Sequence, residues 1–432
     1  MASITCEELQ QDTKQDKLLL FNISGLANLG NSCWLNSILQ CILAIPEMQK
    51  IFINPSINEE LYSHIIKTLE PSDIHNYSII FAKKQLTLTY QMQRLFSLIY
   101  KDNIKQIRPI NFKKVLSTKI ERFSNYNQQD AHEAFVAILD ILHRETSSQV
   151  DINFKIFTEE YLLMFKQIKT LDLSDIDCCK LESKYPDIYE LYKLWNFIIE
   201  YDTKSYSIIK HLFQTTIVST LECPDCHFHT FNIEPTEILS VDIPLEQTID
   251  TIEIDTHLGK LSHLSSDLLE HLRQQLIYRQ TQTQIIELET CLRNFNKVEI
   301  LSDGEEWDCP NCKSKVKAMK KLDIWIPPQI LIIHLKRFNP DQSKINNKVI
   351  FPINDLNINP FMAKYPEKIS KNIYDLICII NHVGTINSGH YFSFVKSTIN
   401  GNWYCANDES INMINESDLI TEAAYILIYR KK

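Results

Sequence analysis

Two pairs of cysteines stand at the same short spacing, Cys223-Pro-Asp-Cys226 and Cys309-Pro-Asn-Cys312. Two thiolates three positions apart can face one ion across a tight turn. Two such turns supply four sulfur ligands for a tetrahedral site with Zn–S bonds of about 2.3 Å. Such a Zn²⁺ site is structural, because four thiolates leave no open position for water or substrate. The competing reading is four free cysteines. A redox role is weaker, since neither pair lies in a βαβ context. His227 and His229 flank the first pair and read as exposed strand residues.

Cys33 poses a different question. It follows the loop Gly25-Leu-Ala-Asn28-Leu-Gly30-Asn31-Ser32 and opens an apolar helical run. Unpaired N–H groups and the macrodipole at a helix N-terminus favour thiolate over thiol. Gly30 permits a sharp entry turn, and Asn28 could fold back to donate a hydrogen bond to an oxyanion. Taken alone, a cysteine here reads first as a packing residue of a buried helix. The C-terminal third shifts that balance. His382-Val-Gly384-Thr-Ile-Asn-Ser-Gly389-His390-Tyr391 leads into one strand, and Gly401-Asn-Trp403-Tyr404-Cys405-Ala406-Asn407-Asp408 into the next. Antiparallel strands joined near Gly401 would set His390 beside Asn407. Cysteine, histidine and Asn or Asp meeting in space are what thiol acyl transfer needs. The thiolate attacks a carbonyl, the imidazolium protonates the leaving amine, and the third residue orients the ring.

The elements that must position these residues are legible in outline. CWLNSILQCILAI carries apolar residues at 34, 35, 38, 39, 42 and 43, which is one helical face, and Pro46 ends it. Residues 130–145 repeat that period at 135, 138, 139 and 142. From about Phe213 the pattern turns to β-branched and aromatic runs: TTIVSTLEC, TFNIEPTEILSVDIPL, ILIIHLKRF, YDLICIINHVG, GHYFSFVKS, GNWYCAND and AYILIYRK. Helices first and antiparallel strands later predict an α+β fold. Residues 1–20 read as a polar leader, 151–205 as a mixed segment, and 246–298 as a charged, partly helical insertion.

Composition narrows the function classes. The 432 residues carry a net charge of −10, which disfavours a broad nucleic-acid surface. No apolar run approaches the ~18 residues that span a bilayer, and the N-terminus lacks a basic then apolar signal pattern. Twelve cysteines in so long a chain point to metal binding or catalysis rather than a disulfide framework. The adjacent Cys178 and Cys179 read as free thiols, and Lys336-Arg337 as solvated or ion-paired. Only seven glycines occur, and five of them, Gly25, Gly30, Gly384, Gly389 and Gly401, fall around Cys33, His390 and Asn407.

With these motifs in order, the sequence resembles the ubiquitin-specific proteases, the papain-like deubiquitinases. GLANLGNSCWLNSILQ is similar to the family's cysteine box, and HVGTINSGHYFSFV with WYCAND to its histidine box. Tyr126-Asn-Gln128-Gln129-Asp130-Ala131-His132-Glu133 is similar to its QQD motif, and LIIHLKRF with Lys348-Val-Ile-Phe351-Pro352 to its LKRF…FP strand pair. The resemblance covers roughly residues 21–431 and implies thumb (about 21–205), zinc-bearing β fingers (about 206–325) and palm (about 326–431). It implies Cys33 as nucleophile, His390 as general acid/base, Asn407 at the third triad position and Asn28 in the oxyanion hole. Asp408 falls at the neighbouring acidic position, able to orient or polarise in place of Asn407. Gln129, Asp130, Gly389 and Tyr391 are implied to bind the ubiquitin tail. The expected partners are ubiquitin and ubiquitinated proteins, with no nucleic acid, no membrane and a monomeric state, in cytoplasm or nucleus. The alternatives are an inactive ubiquitin-binding module and a protease for another ubiquitin-like modifier.

Overall fold

The computed structural model describes residues 23–102, 104–150, 159–170, 184–244, 265–283, 285–363, 371–385 and 388–432. The readings of residues 1–20, Cys178 and Cys179 lie outside them, as does the 246–264 part of the 246–298 segment. The chain divides into two compact units, residues 1–141 with 377–419, and residues 142–376 with 420–432. Both mix helices and strands, as an α+β fold requires.

In the first unit the helix Cys33–Ala44 is the centre. Its apolar positions recur at helical spacing, and all twelve of its residues are buried. The sequence pattern, with one apolar face, understates this. Asn36 and Gln40 are buried as well, because their amides reach the strand before the helix: Gln40 Nε2 donates to Ser24 O at 2.7 Å and Asn36 Nδ2 to Leu26 O at 3.1 Å. A buried amide needs such partners to offset lost hydration. One face of the helix packs on strand Gly389–Lys396. That strand pairs antiparallel with the C-terminal part of Ile373–Gly384 and with Trp403–Asn407, which in turn pairs with Ser410–Ile414. A second helix, Ala131–Thr146, buries Phe135, Ile138 and Leu139 completely. Its first turn is capped by Asp130, whose Oδ1 accepts from His132 N at 2.7 Å and Glu133 N at 3.1 Å.

The longer strands of the second unit pair in two sets. In one, Thr215–Glu222 pairs antiparallel with His229–Thr236 and with Met319–Ile326. In the other, Ile330–Lys336 pairs antiparallel with Ala424–Lys431 and parallel with Leu239–Asp242. The parallel pair departs from the antiparallel expectation. The chain between Asp242 and Ile330 is long enough for a crossover, which a parallel neighbour requires.

Arg337, at the end of Ile330–Lys336, corrects a second expectation. It is fully buried rather than solvated, and among the described residues it makes no salt bridge. Its Nε donates to Ala424 O at 2.6 Å and its Nη1 to the carbonyls of Ile345 and Asn347 at 2.9 Å. Burial pushes the guanidinium down to about 10, and the carbonyl dipoles hold the charge in place of a carboxylate. Lys336 does pair, with Asp242 at 3.2 Å. Among the described residues no helix is long and apolar enough to cross a membrane.

Candidate active site and four-cysteine cluster

Cys33 sits at the first position of its helix and is 1% exposed. The loop before it is tied by one side chain. Asn28 Oδ1 accepts from Gly30 N at 3.0 Å and Ser32 N at 3.1 Å, while Ser32 Oγ accepts from Leu29 N at 2.7 Å. Gly30 has φ 89°, a left-handed conformation that a side chain resists, and a Cβ there would lie 3.0 Å from the Tyr126 ring. The strand entering the loop is pinned by Ala27 N to Ile107 O at 2.8 Å and Leu26 N to Asp408 O at 2.9 Å.

His390 and Asn407 meet as expected. His390 Nε2 lies 2.7 Å from Asn407 Oδ1. An amide oxygen only accepts, so Nε2 carries the hydrogen and Nδ1 is left as the basic nitrogen. The pair is diagonal across the strands rather than directly opposite. The register runs from Lys396↔Trp403 to Ser393↔Ala406, and one step further sets Asn407 against Phe392, two residues beyond His390. Of the residues flanking His390, Tyr391 turns its backbone N–H toward the Cys33 sulfur, and Gly389 reaches Cys33 through Gln128: Gly389 O accepts from Gln128 Nε2 at 3.0 Å while Gln128 Oε1 takes the Cys33 Sγ–H at 3.7 Å. No hydrogen bond joins Cys33 to His390 among the described residues.

Burial is the largest influence on the Cys33 thiol and pushes it up, with the Asp408 charge adding to the rise. Backbone N–H groups of Tyr391, Trp34 and Cys33 act in the opposite sense and do not outweigh it. The helix terminus therefore does not by itself bring this thiol below its ordinary range.

Asp408 stands away from the role of orienting the imidazole. Its Oδ2 accepts from Asn28 Nδ2 at 2.9 Å and its Oδ1 from Asn36 Nδ2 at 2.8 Å. It polarises and aims the Asn28 amide, leaving His390 to Asn407. Gln129 also faces elsewhere, with its Nε2 donating to Arg122 O and to Asn125 Oδ1, both at 3.1 Å. Asp130 is the helix cap already described. Tyr391 is buried, its ring 4.5 Å from that of His382, and its hydroxyl accepts from Ala131 N at 3.5 Å. At Gly389 a Cβ would fall 2.1 Å from His382 Nε2, so no other residue fits there unshifted. Two residues escaped the sequence reading, Gln128 and Asn36. The signal for Asn36 was present, a polar side chain one turn after Cys33 inside an apolar helix.

In the second unit the two knuckles repeat one turn. His227 N donates to Cys223 O at 3.0 Å and Lys313 N to Cys309 O at 2.8 Å, and both His227 and Lys313 adopt left-handed φ, 57° and 56°. The long strands bring the knuckles together, since Glu222, next to Cys223, pairs with Met319, seven residues after Cys312. All four sulfurs lie within 4.8 Å of one another, with Cys223–Cys312 at 3.8 Å and Cys226–Cys309 at 3.7 Å. A regular tetrahedron of 2.3 Å bonds has edges of about 3.8 Å, so the donor set fits a metal ion. His227 is not part of it. It is exposed in the turn rather than a strand, and its Nδ1 lies 3.0 Å from Glu222 Oε1.

A family model described as ubiquitin carboxyl-terminal hydrolase matches residues 24–429. The chain belongs to that family. Ubiquitin carboxyl-terminal hydrolase 4 of the yeast Vanderwaltozyma polyspora is 30% identical over 440 residues, covering 98% of this chain and 42% of its own length. Human ubiquitin carboxyl-terminal hydrolase 2 is 28% identical over 411 residues, covering 94% of this chain and 55% of its own. The chain thus spans about half the length of these relatives. Among solved structures, the SAGA Ubp8/Sgf11/Sus1/Sgf73 DUB module bound to ubiquitin aldehyde aligns with a TM-score of 0.59 at 22% identity, over 95% of this chain and 69% of that one. At this identity the likeness is one of fold, and it agrees with the α+β architecture of this ubiquitin carboxyl-terminal hydrolase family member.

Proposed function

We propose that this chain is a thiol-dependent deubiquitinase that cleaves the (iso)peptide bond at the C-terminal glycine of ubiquitin. The observation that carries the reading is the His390–Asn407 pair built on the strand whose residues beside His390 reach Cys33, Tyr391 through its backbone N–H and Gly389 through Gln128. Family membership and the relatives' names support the choice of ubiquitin.

In this reading Cys33 Sγ gives its proton to His390 Nδ1 and attacks the carbonyl of the terminal glycine. Asn407 keeps the ring oriented through Nε2–H. The oxyanion is met by Asn28 Nδ2, which has a second hydrogen besides the one given to Asp408, and by backbone N–H at the head of the helix. Asp408 keeps Asn28 in place and polarised. His390 then protonates the leaving amine, a thioester to Cys33 forms, and water activated by the same imidazole releases ubiquitin. The backbone beside Gly389 and the Tyr391 wall take the extended tail. Gln129 and Asp130 shape the loop that carries Gln128.

Cys223, Cys226, Cys309 and Cys312 would hold Zn²⁺. A bound zinc ion supplies structural cross-linking of the two knuckles and no chemistry at Cys33.

The test is hydrolysis of a fluorogenic amide of ubiquitin, run beside the same amides of other ubiquitin-like modifiers. Wild type should turn over the ubiquitin amide, and Cys33→Ala should lose at least about 10⁴-fold. Turnover of another modifier alone would replace ubiquitin as the substrate. Equal turnover by Cys33→Ala would overturn the nucleophile assignment.

A further inference from the structure

The Gln128 side chain makes two contacts that belong together. Its Oε1 faces the Cys33 thiol at 3.7 Å, and its Nε2 donates to Gly389 O at 3.0 Å. A carboxamide is a truncated peptide group, with one carbonyl oxygen and N–H donors beside it. A substrate tail reaching Cys33 in extended form offers the same pair, a carbonyl turned to the sulfur and a backbone N–H for a neighbouring carbonyl. Gly389, immediately before His390, presents bare backbone at this point.

We propose that Gln128 is a resting-state plug that occupies the place of the last substrate peptide group and holds Cys33 protonated until the tail displaces it. The inference rests on the reading of Cys33 as nucleophile and adds a positioning residue to it. The thiol has one hydrogen. While that hydrogen points to Gln128 Oε1 it is not available to His390 Nδ1, and a carbonyl oxygen beside sulfur disfavours the thiolate. Entry of the tail exchanges partners. The tail N–H replaces Nε2 on Gly389 O, the carboxamide swings out, and the Sγ proton passes to His390 as the thiolate forms. The chain thereby keeps a reactive thiol quiet when empty, without a dedicated lid.

The experiment follows alkylation of Cys33 by iodoacetamide across about pH 6 to 10, in the full chain without ubiquitin, read on the Cys33 peptide by mass spectrometry. Iodoacetamide needs no tail groove, so the thiolate fraction sets the rate. Gln128→Ala should alkylate about two- to fivefold faster at neutral pH, with its midpoint shifted down, the size expected for one weak hydrogen bond. Gln128→Glu places an anionic acceptor at the sulfur and should be slower, with its midpoint shifted up. Unchanged profiles, or Ala and Glu shifted in the same direction as simple loosening would give, overturn the proposal. Gln128→Met, which keeps the bulk without the acceptor, should match Ala. If Ala unfolds, Met must show the downward shift, and an unchanged Met profile overturns the proposal. A ubiquitin electrophile that fails to label wild type would remove the deubiquitinase reading and leave this alkylation result standing.

Discussion

Cys33 and Cys309 are buried to the same degree, 1% exposed each, yet they are set up for opposite fates. Among the described residues Cys33 has one side-chain hydrogen-bond partner, an amide oxygen, with backbone N–H groups around it. Cys309 has three other sulfurs within 4.8 Å. Burial alone therefore says little about a thiol. A lone sulfur among N–H donors, beside a strand that carries a histidine, can be switched between thiol and thiolate. Four sulfurs at tetrahedral spacing fit one cation and would leave it no free position. The supports differ in kind as well. Cys33 is held by a loop tied through asparagine amides, which carry chemistry of their own, whereas the cluster is held by two copies of one backbone turn at strand ends.

The contrast can be broken from either side. The largest effect is expected at the cluster. Cys309→Ser should lose the bound zinc, measured as metal per chain, and lower the thermal midpoint by about 10 °C or more, because structural zinc binding is folding free energy. Full zinc content in that variant would refute the four-sulfur site. A smaller effect is expected beside Cys33. Asp408→Asn keeps the shape but leaves one acceptor oxygen where there were two, so of the charge-assisted hydrogen bonds from Asn28 and Asn36 one becomes neutral and the other is lost. It should lower kcat about ten- to a hundredfold with little change in KM or zinc content. A fall through KM alone would mean that Asp408 serves substrate binding instead.

What the sequence made legible follows the same division. The knuckles are local, so four positions at C-x-x-C spacing were enough to name the cysteines whose sulfurs come together. His390 and Asn407 were legible because a short connection near Gly401 forces adjacent antiparallel strands. Where a side chain points is a tertiary matter. Gln128 and Gln129 are neighbours of the same type, yet only Gln128 faces Cys33, because Gln129 is drawn to Arg122 O and Asn125 in its own loop. Asp408 looked like a substitute for Asn407 until the positive φ of 49° at its backbone turned its carboxylate to Asn28 and Asn36. Arg337 looked solvated by type, and only the three carbonyls around it explain how a charge is tolerated there. The parallel pairing of Leu239–Asp242 depends on a crossover through the least patterned part of the chain.

The central claim is that Cys33 is the thiol that attacks the end of ubiquitin. The most direct measurement is intact-mass analysis after incubation with ubiquitin carrying a C-terminal vinyl electrophile, followed by peptide mapping. The account predicts one ubiquitin added per chain, on Cys33, with no adduct on Cys33→Ala. An adduct on another cysteine, or equal labelling of Cys33→Ala, would contradict it.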